Sequence, residues 1–317
     1  MKVLLISTNR LHGGMPPFPL GVACVAAGLT SAGHQVEIWD AMFEADWSQA
    51  LTARLAAFSP EAIGFSIRNV DDQNPRAPVF FLDEIRGMVA LCRERSSAVL
   101  VGGGAGFSIF PEAILEYLDL DYGVAGEGEQ AFPALLEALA EGRSPAGVPG
   151  AVWRDHGRVT MALPDWSVPL DALPPVHRQN LDLARYYGAT GSADRPNPIT
   201  VQSKRGCPLR CAYCSTFAVE GCRIRCREPR QVVDELEWLQ GQGYERLHFV
   251  DSVFTNPAWH ARAICDELLR RRLEVRWSAT VSPGQVEPDL LRLMRRAGCV
   301  LLLLGNEHTE ARMLQTP

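Results

Sequence analysis

Five short strand-like runs, most of them apolar throughout and each followed by a stretch of helical periodicity, constrain the first half of this 317-residue chain more than any other feature. The runs fall at 3–7, 35–39, 62–66, 98–101 and 122–125, and the helical stretches near 20–32, 48–57, 81–95, 111–118 and 130–141. Strands that are apolar throughout, rather than at alternate positions, belong in a parallel sheet covered on both faces. Residues 1–142 are therefore expected to form a doubly wound, Rossmann-like α/β domain, with its ligand outside the carboxyl ends of the strands.

Residues 143–195 break this rhythm with six prolines between Pro145 and Pro175, and read as an interdomain linker carrying a short hairpin near 151–162. Alternation resumes over 196–317. Strands are expected at 199–203, 246–250, 274–279 and 299–304, and helices at 230–241, 258–271 and 287–297. That is a βα repeat of the kind that builds a partial barrel.

Net charge is −6 and the pI is about 5.7, and no basic stretch offers a phosphate footprint, so nucleic acid is not expected as a partner. No segment approaches the ~18 apolar residues of a membrane span. The Met1–Ile6 start reads as a first strand rather than a secretory signal, which points to a cytoplasmic protein. Nine cysteines are present, and five lie within residues 207–226. Such local clustering indicates metal or redox chemistry rather than a disulfide framework.

The cluster opens with Lys204-Arg205-Gly206-Cys207-Pro208-Leu209-Arg210-Cys211-Ala212-Tyr213-Cys214, a C-x3-C-x2-C spacing placed directly after a strand. A cubane iron–sulfur cluster normally takes four thiolates, so three leave one iron open to a chelating ligand. A zinc site is the alternative, with Cys222, Cys226 or His248 as the fourth donor, although paired C-x2-C units are absent. The Cys207/Cys211/Cys214 motif, with an aromatic before its last cysteine, resembles the signature of the radical S-adenosylmethionine superfamily. The resemblance implies a 4Fe–4S cluster on these three cysteines and S-adenosylmethionine as co-substrate, cleaved to a 5′-deoxyadenosyl radical. It also implies Tyr213 near the adenine, Asp251 at the second strand tip meeting the ligand, and Glu307 at the fourth. His308 departs from the serine usual there. Cys222 and Cys226 are read as unligated thiols.

Residues 1–142 resemble, in order, the cobalamin (B12)-binding domain that often precedes this radical domain. The matching pieces are Pro16–Gly21, Gly33–Val36, Val101–Gly104 and Gly126–Glu129. The resemblance implies that Gly102, Gly103 and Gly104 line a slot for the nucleotide tail of cobalamin, with Gly126, Glu127 and Gly128 opposite. The Ser66–Asp72 loop would approach the lower corrin face, with Arg68 near cobalt but unable to coordinate it, because a guanidinium stays protonated. An unligated lower face favours cob(I)alamin. An ion pair of Arg68 with Asp71 or Asp72 is the alternative. His12 lacks the expected Asp-x-His context, so it is read as a loop or tail contact. Gly126-x-Gly128-x-x-Ala131 also matches a dinucleotide fingerprint, but after the fifth strand rather than the first. A domain that has lost its cofactor is a further alternative.

Together the two modules imply a methyltransferase that moves a methyl group from S-adenosylmethionine through cobalamin to an unactivated carbon or phosphorus. A small-molecule or peptide substrate and an electron donor such as flavodoxin or ferredoxin are implied with it. Ring contraction or cyclisation without methyl transfer is the second reading. A truncated chain that binds cofactors without turnover is the third, because about four of the family's six barrel strands are counted.

Overall fold

The computed structural model describes residues 1–11, 16–176, 178–189, 196–209 and 211–305. These residues form two compact units. The first comprises 1–11, Pro19–Ser167 and the described part of Leu173–Asp182; the second comprises 16–18, Val168–Ala172 and the described residues from Leu183 onward.

The first unit contains β1 (Lys2–Ser7), α1 (Leu20–Ser31), β2 (Gln35–Asp40), α2 (Trp47–Phe58), β3 (Ala62–Ser66) and α3 (Leu82–Arg95). β4 (Val99–Gly103), α4 (Ala105–Ile109), α5 (Pro111–Leu118), β5 (Tyr122–Val124) and α6 (Gly128–Ala140) follow. The hairpin β6 (Ala151–Asp155) and β7 (Arg158–Met161) completes it. All seven strands share one sheet in the order β2-β1-β3-β4-β5-β6-β7. The first five run parallel, so the strand order reverses beside β1, which is where doubly wound folds place their ligands.

The unbroken apolar runs are explained by burial on both faces. In β1, Leu4 and Ile6 join Leu51, Leu55, Ile85 and Met88 on one face. Val3 and Leu5 join Val22, Leu29, Phe132 and Leu135 on the other. The hairpin expected in the 143–195 linker belongs to this sheet. β6 pairs antiparallel with β5, Tyr122 opposite Trp153, so the sheet continues past residue 142 through a segment read as connection. An edge strand left unpaired invites foreign pairing, and the hairpin covers β5 in this way.

The second unit contains α7 (Leu183–Gly188), β8 (Ile199–Val201), β9 (Lys204–Arg205), α8 (Thr216–Glu220), β10 (Arg225–Cys226), α9 (Pro229–Gly241), β11 (Arg246–Phe249) and α10 (Ala258–Arg271). β12 (Arg276–Val281), α11 (Pro288–Arg296) and β13 (Cys299–Leu304) follow. Its main sheet is parallel, in the order β13-β12-β11-β8. The apolar stripe Val232, Val233, Leu236 and Leu239 packs α9 inward, as its periodicity predicts. Phe249, Phe254 and Trp277 form an aromatic cluster with ring centroids 4.7–5.3 Å apart. β13 is the sheet edge, and its Val300, Leu301, Leu303 and Leu304 are exposed. No helix of the described residues is long and apolar enough to cross a membrane.

His260 of α10 is fully buried, with Nε2 donating to the Arg227 carbonyl at 2.8 Å. Burial, reinforced by Lys204, pushes its pKa down to about 4. The unfolded chain takes up this proton near pH 6.5, before the folded chain does. The contribution of neutral His260 is therefore complete above about pH 6.5 and is lost as the pH falls toward about 4. Denaturation at pH 7.5 and pH 5 is expected to show roughly 2 kcal/mol of this loss. His260→Gln, which keeps a donor but does not titrate, should remove that part of the pH dependence.

Candidate functional site

The cysteine loop leaves β9 through a residue that only glycine can supply. Gly206 has φ +87°, and a Cβ there would lie 2.1 Å from the Arg223 carbonyl oxygen. Its N–H donates to the Glu220 carboxylate at 3.1 Å, and the N–H of Cys207 donates to the Gly221 carbonyl at 3.2 Å. The loop that carries Cys207, Cys211 and Cys214 is thus fastened to the end of α8 just before its first cysteine. The Cys214 N–H donates to the Cys211 carbonyl at 3.0 Å, and Cys214 Sγ lies 3.2 Å from Thr216 Oγ1. Cys207 is buried, while Cys211 and Cys214 are half-buried. Burial pushes the Cys207 thiol up, and Cys214, Cys211 and Glu220 add to that rise. Leu209, Tyr213 and Phe217 give the loop an exposed apolar rim.

Behind the loop lies a polar core that the sequence reading did not foresee. Asp251, at the carboxyl end of β11, is 1% exposed. One carboxylate oxygen accepts from the backbone N–H groups of Ser203 (2.7 Å) and Lys204 (3.2 Å), and the other accepts from Ser203 Oγ. Lys204 is 2% exposed, and its ammonium donates to the carbonyls of Phe254 (2.6 Å) and Asn256 (3.2 Å) above the Phe254 ring. Burial raises the Asp251 pKa while Lys204 and the Ser203 bonds oppose it; burial lowers that of Lys204 while Asp251 opposes it. Each group thus favours the other's charge in a site buried from solvent. Asp251 was expected to meet a ligand; its oxygens instead face donors of its own chain. Glu220 extends the network, accepting from Gln202 Nε2 (3.0 Å) and Ser252 Oγ (3.3 Å).

Among the described residues no three His, Cys, Asp or Glu side chains are gathered into a ready-made metal site. A cubane places its thiolates on separate irons, and three thiols on one loop fit that donor set. Cys222 is exposed, and Cys226 sits opposite Lys204 in the β9–β10 ribbon. Glu307, like His12 and His308, lies outside the described residues.

In the first unit the expected cofactor residues gather at the carboxyl ends of β3, β4 and β5. Gly104 has φ +95° and lies so close to Ile67 that a Cβ would come within 2.7 Å of its carbonyl oxygen. Gly102 has another reason to be glycine. A Cβ there would strike Leu120 and the Phe107 ring at 2.7–2.9 Å, so it makes room for the core rather than lining an opening. Gly103 is different, because its Cβ direction meets only the Val124 carbonyl oxygen, at 3.5 Å. Its backbone is thus open to approach on that side. Gly128 accommodates Val25 of α1, and Glu127 is half-buried. The Ser66 carbonyl is taken by Thr8 Oγ1 at 2.8 Å.

Ser108, which carries no motif, joins two of these loops. Its Oγ donates to the Gly104 carbonyl (2.9 Å) and accepts from the Gly126 N–H (2.8 Å). Arg68 is exposed just beyond β3. The alternative ion pair does not form: Asp71 accepts from the N–H of Gln73, and Asp72 from those of Asn74 and Val79. The Arg68 guanidinium bonds to the Asn69 amide, 3.2 Å from Nη1, when that amide is oriented to satisfy both ends.

Comparison with known proteins agrees with both halves. A B12 binding domain model matches residues 8–136, and a Radical SAM superfamily model matches residues 201–315. The tryptophan 2-C-methyltransferase of Streptomyces laurentii is 28% identical over 98% of this chain and 60% of its own length. The anaerobic magnesium-protoporphyrin IX monomethyl ester cyclase of Rubrivivax gelatinosus is 27% identical over 97% of this chain and 55% of its own. Among solved structures, the radical S-adenosylmethionine methyltransferase TsrM of Kitasatospora setae, with tryptophan and a S-adenosylmethionine analogue bound, superposes with a TM-score of 0.88. That match has 29% identity and covers 99% of this chain and 60% of TsrM. The chain thus spans about 60% of the length of the tryptophan methyltransferase and of TsrM. A B12-binding module followed by a radical S-adenosylmethionine module, in one chain and in this order, places the protein in the cobalamin-dependent radical S-adenosylmethionine family.

Proposed function

We propose that the protein is a cobalamin-dependent radical S-adenosylmethionine methyltransferase, acting in the cytoplasm on a small-molecule or peptide substrate with a flavodoxin- or ferredoxin-like electron donor. The observation that carries this reading is the three-thiol loop, fastened at Gly206 and backed by a sealed polar core, in a chain that also carries a B12-binding module. When bound, the cluster supplies the electron that cleaves S-adenosylmethionine, and cobalamin carries the methyl group.

The chain's own residues hold and orient. Cys207, Cys211 and Cys214 supply three thiolates and leave the fourth cluster position to a ligand. Tyr213, next to Cys214 and exposed, would pack on the adenine of that ligand. Asp251 and Lys204 fix the backbone that enters the loop, so they act as positioning residues rather than ligands. In the first unit, Gly103 gives the corrinoid its close approach, with Gly104, Gly126, Glu127 and Gly128 around it and Gly102 and Ser66 supporting from behind. Arg68 presents a cation that cannot coordinate a metal. The cyclase among the relatives keeps non-methylating chemistry as a second reading, and product mass distinguishes the two.

Anaerobic reconstitution with iron, sulfide and hydroxocobalamin is expected to give about four iron atoms and one cobalt per chain, and Cys207→Ala with Cys211→Ala and Cys214→Ala should lose the iron but keep the cobalt. Iron without cobalt in the unmodified chain would refute the cobalamin assignment. Asp251→Ala leaves three donors unanswered and Lys204 uncompensated. It should cost about 3 kcal/mol or more, read as a lowered melting temperature, and should speed iron loss to a chelator. Arg68→His introduces a side chain that can ligate, so electron paramagnetic resonance of the reduced corrinoid should show nitrogen coupling absent from the wild type. Nitrogen coupling in the wild type itself would overturn the role given to Arg68.

A further inference from the structure

Trp166 follows the β6–β7 hairpin and returns to the carboxyl end of β5. A Cβ on Gly126 would come within 2.7 Å of its ring and 3.1 Å of Pro164, so the outer edge of the indole rests directly on the Gly126 backbone. Gly126 has φ +84°, which holds its N–H on Ser108 Oγ, and that hydroxyl reaches the Gly104 carbonyl. Next to Gly104 stands Gly103, whose Cβ direction is nearly open. Trp166 and Gly103 therefore belong to one rim, stitched together through Ser108 and formed wholly within the first unit. The indole is half-buried, so part of its surface remains available beyond the edge that covers Gly126.

We propose that Trp166 is a specificity-determining wall of the slot that receives the nucleotide tail of cobalamin, selecting corrinoids that carry an aromatic base over those that lack one. The proposal rests on the reading of this unit as a cobalamin-binding domain. The chemistry is that of a flat aromatic base against an indole, which gains from offset or edge contact and from buried area. A glycine at 126 allows the ring to approach the backbone closely enough to leave room on its other side.

The test measures binding of two corrinoids to the full chain by equilibrium dialysis: hydroxocobalamin, and diaquacobinamide, which has the same corrin without the nucleotide. Wild type, Trp166→Phe and Trp166→Ala are compared, each with its melting temperature. Trp166→Ala is expected to weaken hydroxocobalamin by about tenfold, the scale of one lost base–aromatic stack, with cobinamide changed by less than about twofold. Trp166→Phe, which keeps an aromatic face, should retain most of the affinity. Equal weakening of both corrinoids would show that the ring merely supports the fold, and an unchanged Trp166→Ala would show that it does not touch the tail; either result overturns the proposal. A wild-type chain that binds neither corrinoid would instead refute the cobalamin reading itself.

Discussion

A single carboxylate, sealed from water, organises the second unit. Asp251 projects from the carboxyl end of β11 and accepts from Ser203 and Lys204, the residues that lead from β8 into the cysteine loop. An ionised group in such a place is costly unless it is fully bonded and faces an opposite charge. Lys204 supplies the charge without direct contact, and spends its own donors on carbonyls just beyond β11. The strand tips, the loop entrance and the aromatic cluster of Phe249, Phe254 and Trp277 are thereby locked together. The cysteines are held at one remove, through Gly206 and Glu220, with Cys207 buried against this base and Cys211 and Cys214 half-buried.

The first unit solves a different problem. A parallel sheet buried on both faces still has two edges, and β5 is short. The hairpin of β6 and β7 extends that side, and the chain then returns along the β5 tip through Pro164 and Trp166. A segment rich in proline thus works as sheet and rim rather than as a passive tether.

Most of the elements were legible in the sequence because burial on two faces writes itself as uninterrupted apolar runs. β3 at Ala62–Ser66 and the helices Pro111–Leu118 and Ala258–Arg271 fall where periodicity and proline placement put them. The cysteine motif was legible because its chemistry is local. The hairpin's attachment was not, because it depends on a free edge at β5, a property of the assembled sheet. Asp251 was read as facing a ligand; a strand-tip position looks the same in sequence whether its side chain turns outward or back onto the chain. Gly102 shows the same ambiguity, since a glycine that admits a ligand and one that admits Phe107 are spelled alike. Lys204, Glu220, Ser108 and Trp166 escaped notice because each acts on a partner distant in sequence or outside any motif.

The hydroxyl of Ser108 has a consequence that concerns entropy rather than contact. With Gly106 N–H on the Ile67 carbonyl and Ile67 N–H on the Gly103 carbonyl, it completes a chain of hydrogen bonds across the tips of β3, β4 and β5. Loops that would otherwise each sample many conformations are ordered before anything binds. A ligand arriving at such a preorganised rim loses its own freedom but need not quench that of the protein, so more of its contact energy survives as affinity. The glycines give the rim its shape, and one serine keeps that shape from being spent on every binding event.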